Sequence, residues 1–242
     1  MIELAGRGSA ALAISVIVPA LDEAGAIADC MDSVGAQPGV EVVLSDGGSR
    51  DATVAAARAA RPGLIVVSGP AGRGDQLNRG AAAAHGAFLV FLHADCRLPP
   101  GWTDAVEETL ADPRITLGCF RLHTGPPPHA RAGRVSAWWW RLLDLRGHGL
   151  GRPYGDQALF VRRETFDRVG GYPDIPLMED VAFVERCLRI GRLGRVPLDV
   201  RTTARRFGRH PWRTRLATAT FPTLFRCGVS PERLARWYGT VR

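Results

Sequence analysis

The sequence contains no lysine, so each of its 31 basic residues is an arginine. This absence excludes the phosphate-binding P-loop, which requires a lysine after its glycines, and Schiff-base chemistry, which requires a lysine amine. It also excludes nucleotidyl transfer that depends on a lysine. The five cysteines are odd in number, widely spread and never arranged as C-x-x-C. A disulfide scaffold and a zinc knuckle are therefore excluded, and a reducing compartment is indicated.

Long hydrophobic runs are also missing. No stretch approaches the roughly 20 apolar residues that a membrane-spanning helix needs. The first apolar run, residues 11–21, contains Pro19 and leads directly into Asp22 and Glu23, which is unlike a secretory signal. We therefore expect a cytoplasmic protein, either free or attached peripherally to the inner face of the membrane.

The composition is that of a globular protein, but the charge is unevenly distributed. The 242 residues are 46% hydrophobic and 23% charged, which excludes disorder, collagen and coiled coil. Residues 201–242 hold ten arginines and a single acidic residue, Glu232. This basic segment favours an anionic partner such as a diphosphate or a lipid surface, or it is simply a solvated surface. No stacking-aromatic module accompanies it, so we expect no nucleic-acid partner.

The first hundred residues alternate short apolar runs with segments of helical periodicity. The predicted strands are 14–18, 40–44, 64–67 and 88–92, and the predicted helices are 26–34, 51–60 and 75–84. This alternation is typical of an α/β fold, in which helices cover both faces of a parallel sheet. The second part is less regular, with predicted strands at 117–122, 157–161 and 196–200 and predicted helices at 130–145, 179–190, 212–227 and 231–237.

Carboxylates follow three of these strands. Asp22 and Glu23 come after the first strand, Asp46 after the second and Asp95 after the fourth. In open α/β sheets, ligands bind at the carboxyl ends of the strands. Clustered carboxylates without basic partners are costly, so they usually hold a cation or accept hydrogen bonds from a ligand. The sequence therefore predicts a ligand site along one edge of the sheet.

These segments resemble, in order, the motifs of glycosyltransferase family 2. The matching segments are ISVIVPALDE at 14–23, LSDGGSRD at 44–51, RGDQLNRGAAAAHG at 73–86, FLHAD at 91–95 and GGYPDIPLMED at 170–180. The motifs H-A-D and P-L-M-E-D are most similar to those of a small bacterial subgroup of this family. The resemblance implies a GT-A fold, a Rossmann-like nucleotide-binding mixed sheet with helices on both faces, over residues 12–210. A basic helical extension, residues 211–242, is expected to pack on it.

The resemblance also implies a function and a set of residues. It implies a metal-dependent, inverting transfer of sugar from a nucleotide-diphosphate sugar to an acceptor hydroxyl. Asp180 is the expected base, with Glu179 beside it as a second catalytic residue, and Asp95 and His93 are the expected ligands of Mg²⁺ or Mn²⁺. The expected contacts to the nucleotide sugar are Pro19, Leu21, Glu23, Asp46, Arg73, Asn78, His93 and Ala94.

Two departures from the family pattern leave an alternative open. Gly47 replaces the second Asp of the nucleotide segment, and His93 replaces the first Asp of the D-x-D motif. A neutral imidazole either binds manganese or contacts the ribose. These changes motivate a second hypothesis, a catalytically degenerate protein that only binds a nucleotide sugar or acts as a scaffold. For Arg73, a solvated surface position is the alternative to a nucleotide contact.

The acceptor side is the least defined part of the prediction. Tyr154, Asp156 and Trp139 are the candidate acceptor contacts, and the acceptor itself is either lipid-linked or a small molecule. In segment 212–227, an apolar face is flanked by arginines; it comprises Ala217, Phe221, Leu224 and Phe225. This face either packs on the domain or rests on an anionic bilayer.

Overall fold

The computed structural model describes residues 13–125, 152–203 and 211–239. Its strands are β1 (Ile14–Ala20), β2 (Val40–Asp46), β3 (Ile65–Ser68), β4 (Phe88–Phe91), β5 (Cys96–Arg97), β6 (Ile115–Gly125), β7 (Leu159–Arg162) and β8 (Arg192–Thr203). Its helices are α1 (Ile27–Val34), α2 (Thr53–Ala60), α3 (Arg73–Ala83), α4 (Trp102–Ala111), α5 (Arg163–Val169), α6 (Glu179–Ile190), α7 (Pro211–Arg226) and α8 (Pro231–Tyr238), and a 3-10 helix covers Gly155–Gln157. Across these ranges the strands form one sheet in the order β3-β2-β1-β4-β7-β6-β8-β5.

The first four strands are parallel, and β1 at their centre is buried on both faces. β1 lies between β2 and β4, and β2 pairs with β3. Successive side chains of a strand point to opposite faces. In β1, Val16 and Val18 join the core that contains Ile27 of α1, whereas Ile17 joins the core that contains Leu77 of α3. The prediction of an α/β fold with helices on both faces is confirmed.

The sheet becomes mixed from β7 onward. β7 pairs antiparallel with both β4 and β6, whereas β6 and β8 are parallel to each other. The sequence does not predict α4, α5 or the two-residue β5. α5 begins at Arg163, directly after β7, so no glycine or proline marks the change from strand to helix. The predicted helix at 130–145, with Trp139, lies outside the described residues.

The C-terminal helices α7 and α8 pack on the loop that precedes α6. Buried Ala217, Phe221 and Leu234 form a cluster with the partly buried Leu177 and Met178 of that loop. The apolar face of α7, for which the sequence allows either packing or contact with a bilayer, is thus in contact with the rest of the protein. Within the described ranges, no helix is both long enough and apolar enough to cross a membrane.

A partly buried network around Glu41 joins β1, β2 and the segment before β4. Ser15 Oγ donates to Glu41 Oε1 at 2.6 Å, and the backbone N–H groups of His85 and Gly86 donate to the same oxygen. Burial acts to raise the pKa of Glu41, but these hydrogen bonds outweigh it and hold the pKa below its ordinary value. The ionised carboxylate therefore stabilises the fold.

We expect Glu41→Gln to lower the melting temperature at neutral pH and to matter less as the pH falls. A carboxylate whose pKa is lowered by folding contributes stability that is fully present above its unfolded pKa of about 4.3. That contribution is lost as the pH falls through the lower, folded value. Circular dichroism should thus show a constant difference from wild type above about pH 5 and a shrinking one below it. Glu108→Gln, on the exposed face of α4, is the control. A difference independent of pH would contradict the assignment.

Candidate active site

The loops after β1 and β2 are tied together by hydrogen bonds. Asp22 Oδ1 accepts from the N–H of Arg50 at 2.8 Å, and the N–H of Asp22 donates to Ser49 Oγ at 3.0 Å. The N–H of Glu23 donates to Thr53 Oγ1 at 2.7 Å. Asp22 has φ of 54°, a left-handed conformation in which Asp is enriched. The two segments predicted to bind the nucleotide therefore form one continuous rim at the end of the sheet.

Asp46 is buried at the end of β2 and shapes the loop that follows it. Its carboxylate accepts hydrogen bonds from the N–H groups of Gly48 and Ser49 at 3.1–3.2 Å, and from the Ser49 hydroxyl. Gly48 has φ of 88°, which only glycine adopts readily. Asp46 thus holds this loop in a turn, and its contact with a nucleotide stays a prediction.

Gln76 of α3 connects the rim to the sheet, and the sequence does not predict it. Its Nε2 donates to the carbonyl oxygens of Ala20 and Ser45, at 2.9 Å each, at the ends of β1 and β2. Its Oε1 accepts from the N–H of Gly72 at 3.3 Å. An amide beside Leu77, on the buried side of a helix, is the only sign of this role in the sequence. Without Gln76, both buried carbonyls would lose a donor.

Arg73, the first residue of α3, lies among the carboxylates of both acidic motifs. Its Nη1 is 3.7 Å from Oε1 of the buried Glu179. Burial acts to lower the pKa of Arg73, but the carboxylates of Glu179, Asp180 and Asp95 raise it overall. The C-terminal helices pack on Leu177 and Met178, directly before Glu179, so they also lie next to this site. The structure therefore brings the predicted metal-binding and catalytic motifs together around one arginine.

Asp180 lies in the first turn of α6, and backbone N–H groups hold both of its carboxylate oxygens. The N–H of Gly155 donates to Oδ2 at 2.9 Å, and the N–H of Val181 donates to Oδ1 at 2.8 Å. α6 begins directly after Met178, whose φ of 70° is unusual for a residue with a side chain. Backbone strain of this kind persists only where the surrounding structure imposes it, and it concentrates at functional sites.

His93, Asp95 and Cys96 offer ligand atoms that all lie within 4.8 Å of one another. They occupy the turn from β4 into β5. Burial raises the pKa of the Cys96 thiol well above its ordinary value, and Asp95 and Asp156 raise it further. The thiol is therefore neutral at physiological pH in the absence of a metal, and the Asp95 carboxylate and the His93 imidazole stay the predicted metal ligands.

The other predicted residues lie around this cluster. Asn78 pairs with the backbone of Tyr172, since its Nδ2 donates to the carbonyl oxygen and its Oδ1 accepts from the N–H, both at 2.9 Å. This amide therefore joins α3 to the loop after α5, and its contact with a nucleotide stays a prediction. Ala94 is buried between His93 and Asp95. Five further residues are partly buried, at the end of β1 or around the 3-10 helix: Pro19, Leu21, Glu23, Tyr154 and Asp156.

Known proteins share this sequence pattern and this fold. A PGL/p-HBAD biosynthesis glycosyltransferase of Mycobacterium bovis is 31% identical over 175 residues, which are 67% of this chain. The chain spans 64% of the length of that relative. A mannosyltransferase of Pyrobaculum calidifontis, solved with GDP-Man and Mn²⁺, superimposes with a TM-score of 0.65 at 22% identity, over 93% of this chain and 67% of its own.

A second solved structure is similar at a slightly higher identity. Glucosyl-3-phosphoglycerate synthase of Mycobacterium tuberculosis, solved with Mn²⁺, UDP and phosphoglyceric acid, has a TM-score of 0.57 and 25% identity. The match covers 90% of this chain and 79% of that one. The model of the family described as Glycosyl transferase family 2 matches residues 15–170. Together with the GT-A fold, this match shows that the chain belongs to glycosyl transferase family 2.

Proposed function

We propose that the chain transfers a sugar from a nucleotide-diphosphate sugar to an acceptor hydroxyl, with inversion at the anomeric carbon. The observation that carries the proposal is that one site holds the ion pair of Arg73 with Glu179, at 3.7 Å, and the side chains of His93 and Asp180 on either side of Gly155. A leaving diphosphate needs cationic groups, and an acceptor hydroxyl needs a base. This cluster offers both within one site. The name of the mycobacterial relative, a glycosyltransferase, supports sugar transfer.

In the proposed reaction, Asp180 is the base and no bond forms to the protein. The acceptor oxygen attacks the anomeric carbon from the face opposite the diphosphate, while its proton passes to a carboxylate oxygen of Asp180. The bond between the anomeric carbon and the β-phosphate oxygen breaks, and its electron pair leaves with the nucleoside diphosphate. The N–H groups of Gly155 and Val181 hold the two oxygens of Asp180, so the carboxylate meets the hydroxyl in a fixed orientation.

Arg73 is the side chain that we assign to the diphosphate. Its side chain is 37% exposed, whereas that of its partner Glu179 is 5% exposed. The guanidinium is thus paired on its inner side and accessible from outside, and its planar donors match phosphate oxygens. Glu179 then acts as a positioning residue, because it holds Arg73 at the start of α3.

Asp95 and His93 are the residues that we assign to a divalent cation. When bound, such an ion neutralises charge on the leaving diphosphate. The structure of glucosyl-3-phosphoglycerate synthase with Mn²⁺ and UDP, a neighbour of similar fold, supports a cation here. The imidazole nitrogen of His93 favours Mn²⁺ over Mg²⁺. We assign the nucleoside to the rim after β1 and β2, with Pro19, Leu21, Glu23 and Asp46 beside it and with Asn78 and Ala94 nearby.

The acceptor remains defined only by class, as a lipid-linked or small soluble hydroxyl compound. Tyr154 and Asp156, around the 3-10 helix, are the described candidates for contacting it.

Because the apolar face of α7 packs inside the protein, peripheral contact with anionic lipid would use the exposed surface of α8. That surface carries Trp237, which is 53% exposed, beside Arg233 and Arg236. The proposal places the protein in the cytoplasm, with peripheral contact to the inner face of the membrane, and cosedimentation with anionic vesicles at low salt tests it.

Thermal unfolding with a panel of UDP- and GDP-sugars tests the donor side directly. At a ligand concentration of about 100 Kd, binding should stabilise the fold by about 2.7 kcal/mol. For a chain of this size, that corresponds to roughly 5–10 °C in melting temperature. We expect this shift with one nucleotide and Mn²⁺ together, and little shift with either alone. A panel in which no nucleotide shifts the melting temperature would contradict the proposal.

Turnover distinguishes a transferase from a binding or scaffolding protein. The nucleotide sugar selected by the panel should release nucleoside diphosphate, slowly with water and faster with a suitable acceptor. Metal-dependent stabilisation with no release of nucleoside diphosphate, with or without an acceptor panel, would favour the scaffolding hypothesis that Gly47 and His93 raise.

A further inference from the structure

Gly155 lies between the imidazole of His93 and the carboxylate of Asp180. Its N–H donates to Asp180 Oδ2 at 2.9 Å. A Cβ built on Gly155 would lie 3.0 Å from His93 Nε2 and 3.4 Å from Asp180 Oδ2. One backbone position therefore touches both the segment assigned to the cation and the residue assigned as base.

The backbone does not require glycine at this position. Gly155 does not have a positive φ. It begins a 3-10 helix directly after Tyr154, which is extended, with φ of −120° and ψ of 168°. An alanine is therefore conformationally acceptable here. What a side chain would change is the space between His93 and Asp180, where 3.0 Å is closer than Cβ atoms normally approach a neighbour.

The 3-10 helix that carries Gly155 is itself firmly held. The N–H of Tyr154 donates to Gln157 Oε1 at 3.1 Å, and Gln157 Nε2 donates to the carbonyl oxygen of Phe120 in β6 at 3.0 Å. Gln157 is 1% exposed. These hydrogen bonds tie the 3-10 helix to the sheet and so fix the position of the Gly155 N–H. This N–H in turn fixes the orientation of the Asp180 carboxylate.

We propose that Gly155 is a positioning residue for Asp180. Its N–H orients the Asp180 carboxylate, and because glycine has no side chain, this carboxylate and the His93 imidazole lie close to each other. The inference rests on the proposed function, because it assigns Gly155 a role only through the base. In chemical terms, Gly155 sets the distance between the group that accepts the acceptor's proton and the group beside the leaving diphosphate. A misplacement of about 1 Å at such a site costs about a hundredfold in rate.

Gly155→Ala tests the inference, with turnover followed as release of UDP or GDP from the nucleotide sugar that the thermal panel selects. We expect kcat to fall by about 10–100-fold. The affinity for UDP or GDP in chelator, measured by calorimetry, should stay within about threefold of wild type, since Arg73 is unchanged and the crowded imidazole of His93 is assigned to the cation. A merely structural role would lower the melting temperature and leave kcat alone. The control is Gly194→Ala in β8. A Cβ there would crowd Thr109 and Ile115, which are not part of the proposed site, so this variant should lose stability and keep its kcat.

A double-mutant cycle with Asp180→Asn separates a role through the base from an independent one. If Gly155 acts through Asp180, Gly155→Ala should lower the residual turnover of Asp180→Asn by less than about twofold. A multiplicative loss would overturn the inference, as would wild-type kcat in folded Gly155→Ala. A Gly155→Ala protein that lost nucleotide affinity as strongly as turnover would also overturn it. If Asp180→Asn alone kept wild-type turnover, the proposed base would fail instead, so the two failures are distinguishable.

Discussion

Asp180→Asn should lower turnover by about 10²–10⁴-fold, which is the usual contribution of a positioned general base. Asparagine keeps the shape of the side chain and an oxygen that accepts the N–H of Gly155, and it loses only the hydrogen bond from the N–H of Val181. It cannot accept the proton of the acceptor hydroxyl. Because the proposed contacts of the nucleotide diphosphate are Arg73 and Asp95 rather than Asp180, donor affinity should stay within about twofold of wild type. The effect should therefore appear in kcat and not in binding.

The measurement needs steady-state release of nucleoside diphosphate together with calorimetry of donor binding. Asp167→Asn is the matched control, because Asp167 lies exposed in α5, and it should change neither quantity. Retention of more than about a tenth of wild-type turnover by Asp180→Asn would show that another group takes the proton.

Asp95→Ala should abolish the dependence of nucleotide binding on the divalent cation. In the proposed site, a diphosphate lies beside the carboxylate of Asp95 and the Glu179 carboxylate that pairs with Arg73. Without the added ion, repulsion between like charges opposes binding. In wild type, calorimetry should show at least about tenfold tighter binding of UDP or GDP with Mn²⁺ than with chelator, or about 1.4 kcal/mol. In Asp95→Ala, the two titrations should agree.

Two comparisons sharpen this second experiment. Asp104→Ala removes an exposed carboxylate from α4 and should keep the full response to Mn²⁺. His93→Ala should weaken the response to Mn²⁺ more than the response to Mg²⁺, because it removes a nitrogen donor. Equal affinity of the wild-type protein with chelator and with Mn²⁺ would rule out a cation-dependent donor site.

The sequence predicts the first hundred residues best, because short apolar strands alternate there with helices and each element can be recognised from its own residues. In β1, the run around Val16 is apolar on both faces because the strand is central, and that pattern is visible without any structure. α6 is predicted with its observed bounds, 179–190, since its apolar positions recur at helical spacing. The ends of parallel strands must share one edge, so the grouping of Asp46 and Asp95 at one edge also follows from the sequence.

The rest depends on partners that are distant in the chain. Asn78 pairs with Tyr172 across 94 residues, and Gln157 reaches Phe120 across 37. No periodicity within a window of residues reports such contacts. The position of β7 between β4 and β6 is equally hidden, because the order of strands in a sheet is set by packing rather than by sequence order. Gly155 shows no sign of its contacts, since a glycine before Asp156 is also typical of an ordinary turn.

The position of β7 has a consequence for how the protein emerges from the ribosome. β4 pairs with β7 through Phe91 and Leu159, which are 68 residues apart in the chain. At about 5–20 residues per second, β4 leaves the ribosome roughly 3–14 s before β7 leaves it. During that interval the nascent sheet presents an open strand edge next to an apolar surface, the kind of edge on which other chains add. In a fragment that ends before β7, this edge of β4 would stay open permanently. Such a fragment, expressed alone, should therefore aggregate rather than fold as a soluble unit.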